Sequence, residues 1–227
     1  MACLLLRCVG PMQSWGSRSR FQERDTEREP TKSGIIGLLC AALGRDRAEP
    51  VDDLAALRMG VRVDLEGRLE NDYHTALDVL KANQSGTDTQ ISNRAYLADA
   101  AFLVGIEGDS QLLERLQGAL KNPRWPLFLG RKSFVPSCPI YLKDGFHPEE
   151  TLEMSLRNYA NIAPFQPPTQ NKVSEPLRLV LESNSSVGLE VRLDNPMDFR
   201  HLSRRFEQRH MKSDLADSKP FREDACI

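Results

Sequence analysis

Three short stretches of the 227-residue chain carry the residue types from which a phosphate grip can be built. The first is the loop over residues 12–21, which holds Trp15, Gly16, Ser17, Arg18, Arg20 and Phe21 and no acid. Aromatic and guanidinium groups in a glycine-serine loop suit stacking on unpaired bases with contacts to their backbone. The second is Thr31-Lys32-Ser33-Gly34, between Pro30 and the apolar run 35–43. Unpaired amides in the first turn of a helix, beside a lysine and two hydroxyls, suit an anion such as phosphate; the competing reading makes Thr31 or Ser33 a simple N-cap. The third is 129–136, where Gly130 is followed at once by Arg131, Lys132, Ser133 and Phe134. Its bland alternative is a solvated basic turn.

These stretches need elements to hold them. Ile35 to Leu43 is apolar on every face, which predicts a buried helix that Gly44 stops. Residues 2–9 read as a first strand bounded by Gly10-Pro11, 51–57 as a short helical turn, and 59–65 as a half-buried second strand, since Met59, Val61, Val63 and Leu65 alternate with polar or small residues. Residues 100–106 predict a third strand. Behind a plausible Asp109 cap, Leu112, Leu113, Leu116 and Leu120 predict a second amphipathic helix, and 126–129 a fourth strand. The order strand, helix, strand, strand, helix, strand is the ferredoxin-like (RRM-like) β-α-β-β-α-β arrangement, an α+β fold. Strand three offers only Phe102 and strand one no aromatic, so open-sheet stacking is not expected and binding falls to the loops.

Between strands two and three the chain turns polar for some thirty residues, an insertion longer than an ordinary connection. Past residue 140 come an amphipathic segment over 148–159 and a Pro-rich stretch over 164–168. Two strands at 177–181 and 189–193 are then expected as a hairpin through Asn184-Ser185-Ser186, making a small second sheet. Residues 200–227 mix both charges with little apolar period and read as a frayed helix and tail.

A net charge of -2 excludes a protein that coats nucleic acid through its overall field, so any such site is a local patch. Five scattered cysteines with no CxxC pair indicate neither a disulfide framework nor a metal site, and no cofactor is expected. The N-terminal apolar run is too short to span a bilayer, and a cytoplasmic, reduced setting is the simplest reading.

Taken together, PMQSWG with SRF and PTKSGIIGLLCAALGRDR, then DYHTAL and RAYLADAAFLVGIEG, then LFLGRKSFVPSCPIY resemble the CasD-type subunits of the CRISPR Cascade complex of subtype I-E, in the RAMP superfamily. The resemblance covers residues 1 to about 145. It implies a ferredoxin-like RAMP domain over 1–139 with an inserted thumb over about 67–98, a small C-terminal β-rich part over 140–199, and a tail over 200–227. It implies a non-catalytic subunit for antiviral defence that binds the 5′ handle of the guide crRNA and caps the backbone of the complex. The implied partners are the backbone-forming CasC subunit and the large CasA subunit; target DNA is met only through the assembled ribonucleoprotein, with no membrane. The handle grip would use the loop from Trp15 through Gly16, Ser17 and Arg18 to Arg20, the helix start at Lys32 and Ser33, and Gly130, Arg131, Lys132 and Ser133. Arg94 adds a cation at the end of the thumb, while Trp15, Tyr73, His74 or Tyr96 would stack on or hydrogen-bond splayed bases, and the thumb would help displace one nucleotide at the handle-spacer junction.

Relatives in subtype I-C systems imply an alternative, a metal-independent endoribonuclease that processes CRISPR repeat RNA by activating a ribose 2′-hydroxyl. Tyr73, His74 and Lys132 are the side chains of the right type for a general base or acid and a cation. Tyr73 and His74 adjoin, so on a strand they face opposite ways, and His147, His201 and His210 lie in segments read as surface. A third reading is a structural adaptor whose basic loops bury against protein; the acid-free loop over 12–21 counts against it.

Overall fold

The computed structural model describes residues 1–17, 22–163, 176–183, 190–200 and 203–220. The apolar run becomes helix α1 (Lys32–Leu43), opened by the Thr31 side chain accepting from the Gly34 N–H and closed at Gly44. Its Ile35, Ile36, Leu38 and Leu39 are buried, each such side chain stabilising the fold by roughly 1.5–3 kcal/mol. Before it lie β1 (Ala2–Val9), β2 (Met12–Gln13) and β3 (Glu23–Arg24). After it come α2 (Asp52–Ala55), β4 (Arg58–Leu65), β5 (Arg68–Leu80), β6 (Thr87–Ala98), β7 (Ala101–Gly108) and α3 (Ser110–Lys121). The chain continues through β8 (Tyr141–His147), α4 (Leu152–Asn158), β9 (Leu177–Ser183), β10 (Glu190–Asp198) and β11 (Arg205–Ala216).

Seven strands form one sheet in the order β10-β11-β9-β4-β7-β1-β8, every neighbouring pair antiparallel. The architecture is the α+β class expected from the sequence. α1 and α3 cover one face, where Leu4, Leu6, Val61, Phe102 and Val104 meet Leu113 and Leu116. α4 covers the other, with Leu152 and Leu156 against Leu5, Leu103, Leu179 and Leu181. Layers on both sides explain why β1 and β7 read as nearly continuous apolar runs. α4 seats on Gly60 and Gly105, register partners on β4 and β7; a Cβ on Gly105 would stand 2.6 Å from a Leu152 methyl, so the helix can approach only where both strands lack side chains.

Five expectations need correction. β4 is buried on both faces and not half-buried: Arg62 points under α4, clamping both carboxylate oxygens of Asp64 at 2.6 and 2.8 Å and donating to the carbonyls of Leu156, Tyr159 and Ala160. Residues 126–129 are loop, with Leu129 in the core, and the strand beside β1 is β8. β9 and β10 are not a hairpin with its own sheet, because β11 lies between them and all three extend the main sheet; Asn184 to Ser186 lie outside the described residues. The segment read as a frayed helix contains β11, whose inward Arg209 and Met211 are buried. Cys3, Cys8 and Cys40 are free buried thiols, whereas Cys138 is disulfide-bonded, contrary to the all-thiol expectation. No helix among the described residues is long and apolar enough to cross a membrane.

Candidate nucleic-acid interface

The polar insertion is a long antiparallel hairpin, β5 against β6, closed by a turn at 81–86 in which Lys81 N–H donates to the Gly86 carbonyl at 3.0 Å. Most of β5 is exposed, so the hairpin projects from the main sheet and is supported at its base. There the two ends of the loop over residues 12–24 pair with β6: β2 runs antiparallel, with Met12 opposite Ala98, and β3 parallel, with Glu23 opposite Asn93 and Arg24 opposite Arg94. Gln13, fully buried, locks this joint by donating to the carbonyls of Cys8 at 3.1 Å and Ala100 at 2.8 Å while accepting from the Trp15 indole at 3.2 Å.

The third stretch packs onto the first. Leu129 accepts from Ser14 N–H at 3.1 Å, and Gly130, at φ +91°, lies so close that a Cβ would sit 1.7 Å from the Ser14 carbonyl oxygen. Glycine alone fits that backbone and that approach. The turn it opens is tied by Leu129 N–H to Phe134 O at 2.8 Å and Phe134 N–H to Arg131 O at 2.9 Å, leaving Lys132 and Ser133 exposed.

The result is a guanidinium cluster. Arg131 donates to the Ala95 carbonyl at 2.8 Å and stands 5.3 Å over the Phe134 ring, beside the cross-strand pair Arg24 and Arg94. Burial and then the like charges of Arg94 and Arg24 pull the Arg131 pKa below its ordinary value, with Asp72 and Asp25 opposing. Asp72 is the β5 register partner of Arg94, and Arg94 also donates to Ser92 Oγ at 2.9 Å. Arg131, fixed by its bond to Ala95, thus feels the like charges of Arg94 and Arg24 from the paired strands, an arrangement that an anion stabilises. Ser17 and Gly16 border it, Ser17 N–H donating to Asp25 Oδ1 at 3.3 Å and its hydroxyl to Glu27.

Two expected contributors are excluded. Trp15 is fully buried beneath α1, where a Cβ on Gly34 would meet its ring at 2.8 Å, so it cannot stack on a base. Lys32 is 2% exposed and ion-paired with Glu182 at 2.9 Å; burial lowers its pKa even against that partner. Asp194 takes the place expected for phosphate, accepting the Lys32 backbone N–H at 2.9 Å while Arg209 grips its two oxygens at 2.5 and 2.8 Å. Glu29, also buried, binds Arg192 and Arg178. The helix start is therefore an internal ionic joint with the C-terminal strands, with Ser33 half-buried beside it.

Of the remaining candidates, Arg18 and Arg20 lie outside the described residues. Tyr73 is 65% exposed and, with half-exposed His74, sits mid-hairpin opposite Asn93 and Ser92. Tyr96 is half-buried, its ring 6.0 Å from that of Phe134. Arg24 escaped the sequence reading because it stands in the acid-rich run ERDTERE, and only the parallel pairing of β3 with β6 brings it to Arg94. No group of His, Cys, Asp and Glu able to hold a metal occurs among the described residues.

Comparison with known proteins bears on the fold and the family. A family model described as CRISPR-associated protein (Cas_Cas5) matches residues 3–212. The CRISPR system Cascade subunit CasD of Escherichia coli (strain K12) is 34% identical over 155 residues, 61% of this chain and 69% of that one. A solved "Crystal structure of Cas protein" superposes with a TM-score of 0.77 at 45% identity, covering 97% of this chain and 98% of its own. A chain of a "CRISPR RNA-guided surveillance complex" does so with 0.79 at 31% identity, covering 95% and 90%. With nearly its whole length matched by one family model and its fold shared with these chains, the protein belongs to the CRISPR-associated Cas5 family.

Proposed function

We propose that this chain is a non-catalytic subunit of a CRISPR RNA-guided surveillance complex of the Cascade type, in which it grips the 5′ handle of the guide crRNA and caps the backbone of the assembly. The observation that carries the reading is the cluster of Arg24, Arg94 and Arg131 where loop, hairpin base and glycine turn meet. Guanidinium groups held in fixed positions bind phosphate bidentately and position an RNA without reading its sequence. Lys132 and Ser133 extend the grip, Arg18 and Arg20 follow Ser17 in sequence as further phosphate contacts, and exposed Tyr73 on the hairpin supplies a ring for a splayed base. The order β4-β7-β1-β8, with α1 between β1 and β4 and α3 between β7 and β8, supports a ferredoxin-like arrangement whose inserted thumb is the β5–β6 hairpin. CasC-type and CasA-type subunits are the protein partners, and target DNA is met through the assembled complex.

A cleavage role gains no support from the geometry, because Tyr73 and His74 occupy adjacent strand positions and one reacting atom cannot meet both. The test is a salt titration of handle RNA binding. Arg131→Ala and Arg94→Ala should each weaken binding and reduce the slope of log K against log salt by about 0.7, the single-strand value per phosphate contact. Unchanged slopes in both variants would remove the cluster from the RNA path.

A further inference from the structure

The chain has two tryptophans, and the one expected to stack on a base is not the one the structure exposes. Trp15 is fully buried, while Trp125, in the run Asn122-Pro123-Arg124-Trp125-Pro126, is 42% exposed. An indole left in water is ordinarily mobile, but this one rides on fixed backbone. Arg124 N–H donates to Ala42 O at 2.9 Å and Trp125 N–H to Ala41 O at 3.2 Å, so the segment is pinned to the last turn of α1. The Arg124 side chain lies across Gly44, where a Cβ would come within 2.3 Å of its Cδ. Prolines on both sides limit the backbone further.

The charge around this platform is one-sided in sequence. Residues 115–143 contain six lysines and arginines, among them Lys121, Arg124, Arg131 and Lys132, and no acid, in a protein of net charge -2. Five residue-to-residue steps lead from Trp125 to Gly130, at most about 18 Å of chain, so the ring stands within reach of a few nucleotides leaving the guanidinium cluster. An exposed ring on pinned backbone, next in sequence to Arg124, a short reach from the glycine turn and with no carboxylate in its own stretch of sequence, fits the stacking platforms that bind single-stranded nucleic acid.

We infer that Trp125 is a second RNA subsite, stacking one unpaired base of the strand that the Arg24, Arg94 and Arg131 cluster holds by its phosphates. The inference rests on the RNA-binding reading above and extends the path along 124–132.

Tryptophan fluorescence separates the two claims, because Trp15 is sealed from solvent and Trp125 is the quenchable indole. The probe is a synthetic guide RNA with its repeat-derived 5′ segment, titrated into the purified chain. Saturation should quench the Trp125 emission and protect it from acrylamide. Trp125→Phe should lose the quench, and Trp125→Ala should bind roughly tenfold more weakly with the salt slope unchanged, since stacking releases no counterion. Trp125→Phe keeps most of the covered ring surface and should melt like the parent.

Binding with a normal salt slope, while Trp125 stays open to acrylamide and Trp125→Ala binds within twofold of the parent, would overturn the subsite and leave the arginine grip intact. An indole protected only when other subunits are added, with RNA affinity indifferent to Trp125→Ala, would also overturn it by assigning the ring to a protein contact. Absence of any RNA binding would defeat the earlier reading first.

Discussion

Gly130→Ala is the substitution for which the structure gives the sharpest expectation. The residue sits at φ +91°, and a Cβ there would be 1.7 Å from the Ser14 carbonyl oxygen and 2.8 Å from its carbon. Favourable contact for such atoms lies near 3.5 Å, so the turn must retreat by more than an ångström from rigid backbone. Strain at a positive φ costs about 1–3 kcal/mol and overpacking a similar amount, together roughly 2–6 kcal/mol. For a chain of this size that is a fall in Tm on the order of 10 °C. The retreat also stretches the Ser14 to Leu129 bond of 3.1 Å and carries Arg131 away from Ala95, so handle affinity should fall by at least the loss of one phosphate contact. Gly37→Ala on α1 is the control: a Cβ there meets nothing within 4 Å, and the helix should gain about 0.5–1 kcal/mol. Thermal melts and RNA titrations of both variants decide the matter. A Gly130→Ala protein that melts with the parent and binds RNA equally well would refute the claim that the glycine turn is keyed to Ser14.

Three further expectations follow from buried charge and burial. Arg62→Ala leaves Asp64 buried and three carbonyls without their donor, and should cost about 3–5 kcal/mol by urea unfolding, whereas Arg62→Met with Asp64→Leu should be milder than the single change. Burial pushes the Asp194 carboxyl up, but the Arg209 guanidinium and the Lys32 N–H hold it net below its ordinary value. Its stabilisation is therefore present above the unfolded pKa near about 4 and lost as pH falls through the lower folded value; Asp194→Asn should be less stable at pH 7 and show a flatter acid limb. Burial pushes Cys3 and Cys8 up to about 12 and Cys40 to about 11, so these three thiols should ignore a disulfide reagent at pH 8 until urea unfolds the chain, and rapid labelling of the native protein would contradict the packing.

Much of the framework was legible because local pattern and burial coincide. The all-apolar face of α1, the run in β7 and the Leu112 to Leu120 spacing of α3 each point to one answer. The pattern misled where a loop carries core residues or a strand carries buried charge. Pro126 to Leu129 reads as a strand but is a connection plugging Leu129 into the core, while β8 displays Lys143 and Asp144 to solvent. β11 hides because its inward positions include Arg209, a charge buried through its pairing with Asp194 and Glu182. At the site, the glycine turn and Arg131 were visible in sequence. Lys32 and Trp15 were misassigned, since their partners Glu182, Asp194 and Gly34 are set by tertiary packing that no local spacing reports.

The position of β11 between β9 and β10 bears on the order in which a ribosome delivers the molecule. β9 emerges first and can pair with β4, but β10, synthesised next, pairs with β11 and must wait for that strand to be made. Arg209, needed to neutralise Asp194 and thus to hold the start of α1, arrives with the same strand. Contacts of such long sequence separation form slowly, so the start of α1, though translated early, is tied to the C-terminal strands only after β11 has been made. A nascent chain lacking β11 would leave Asp194 without its guanidinium beside an untethered helix start, and premature stop codons before residue 205 should yield protein that is degraded instead of assembled.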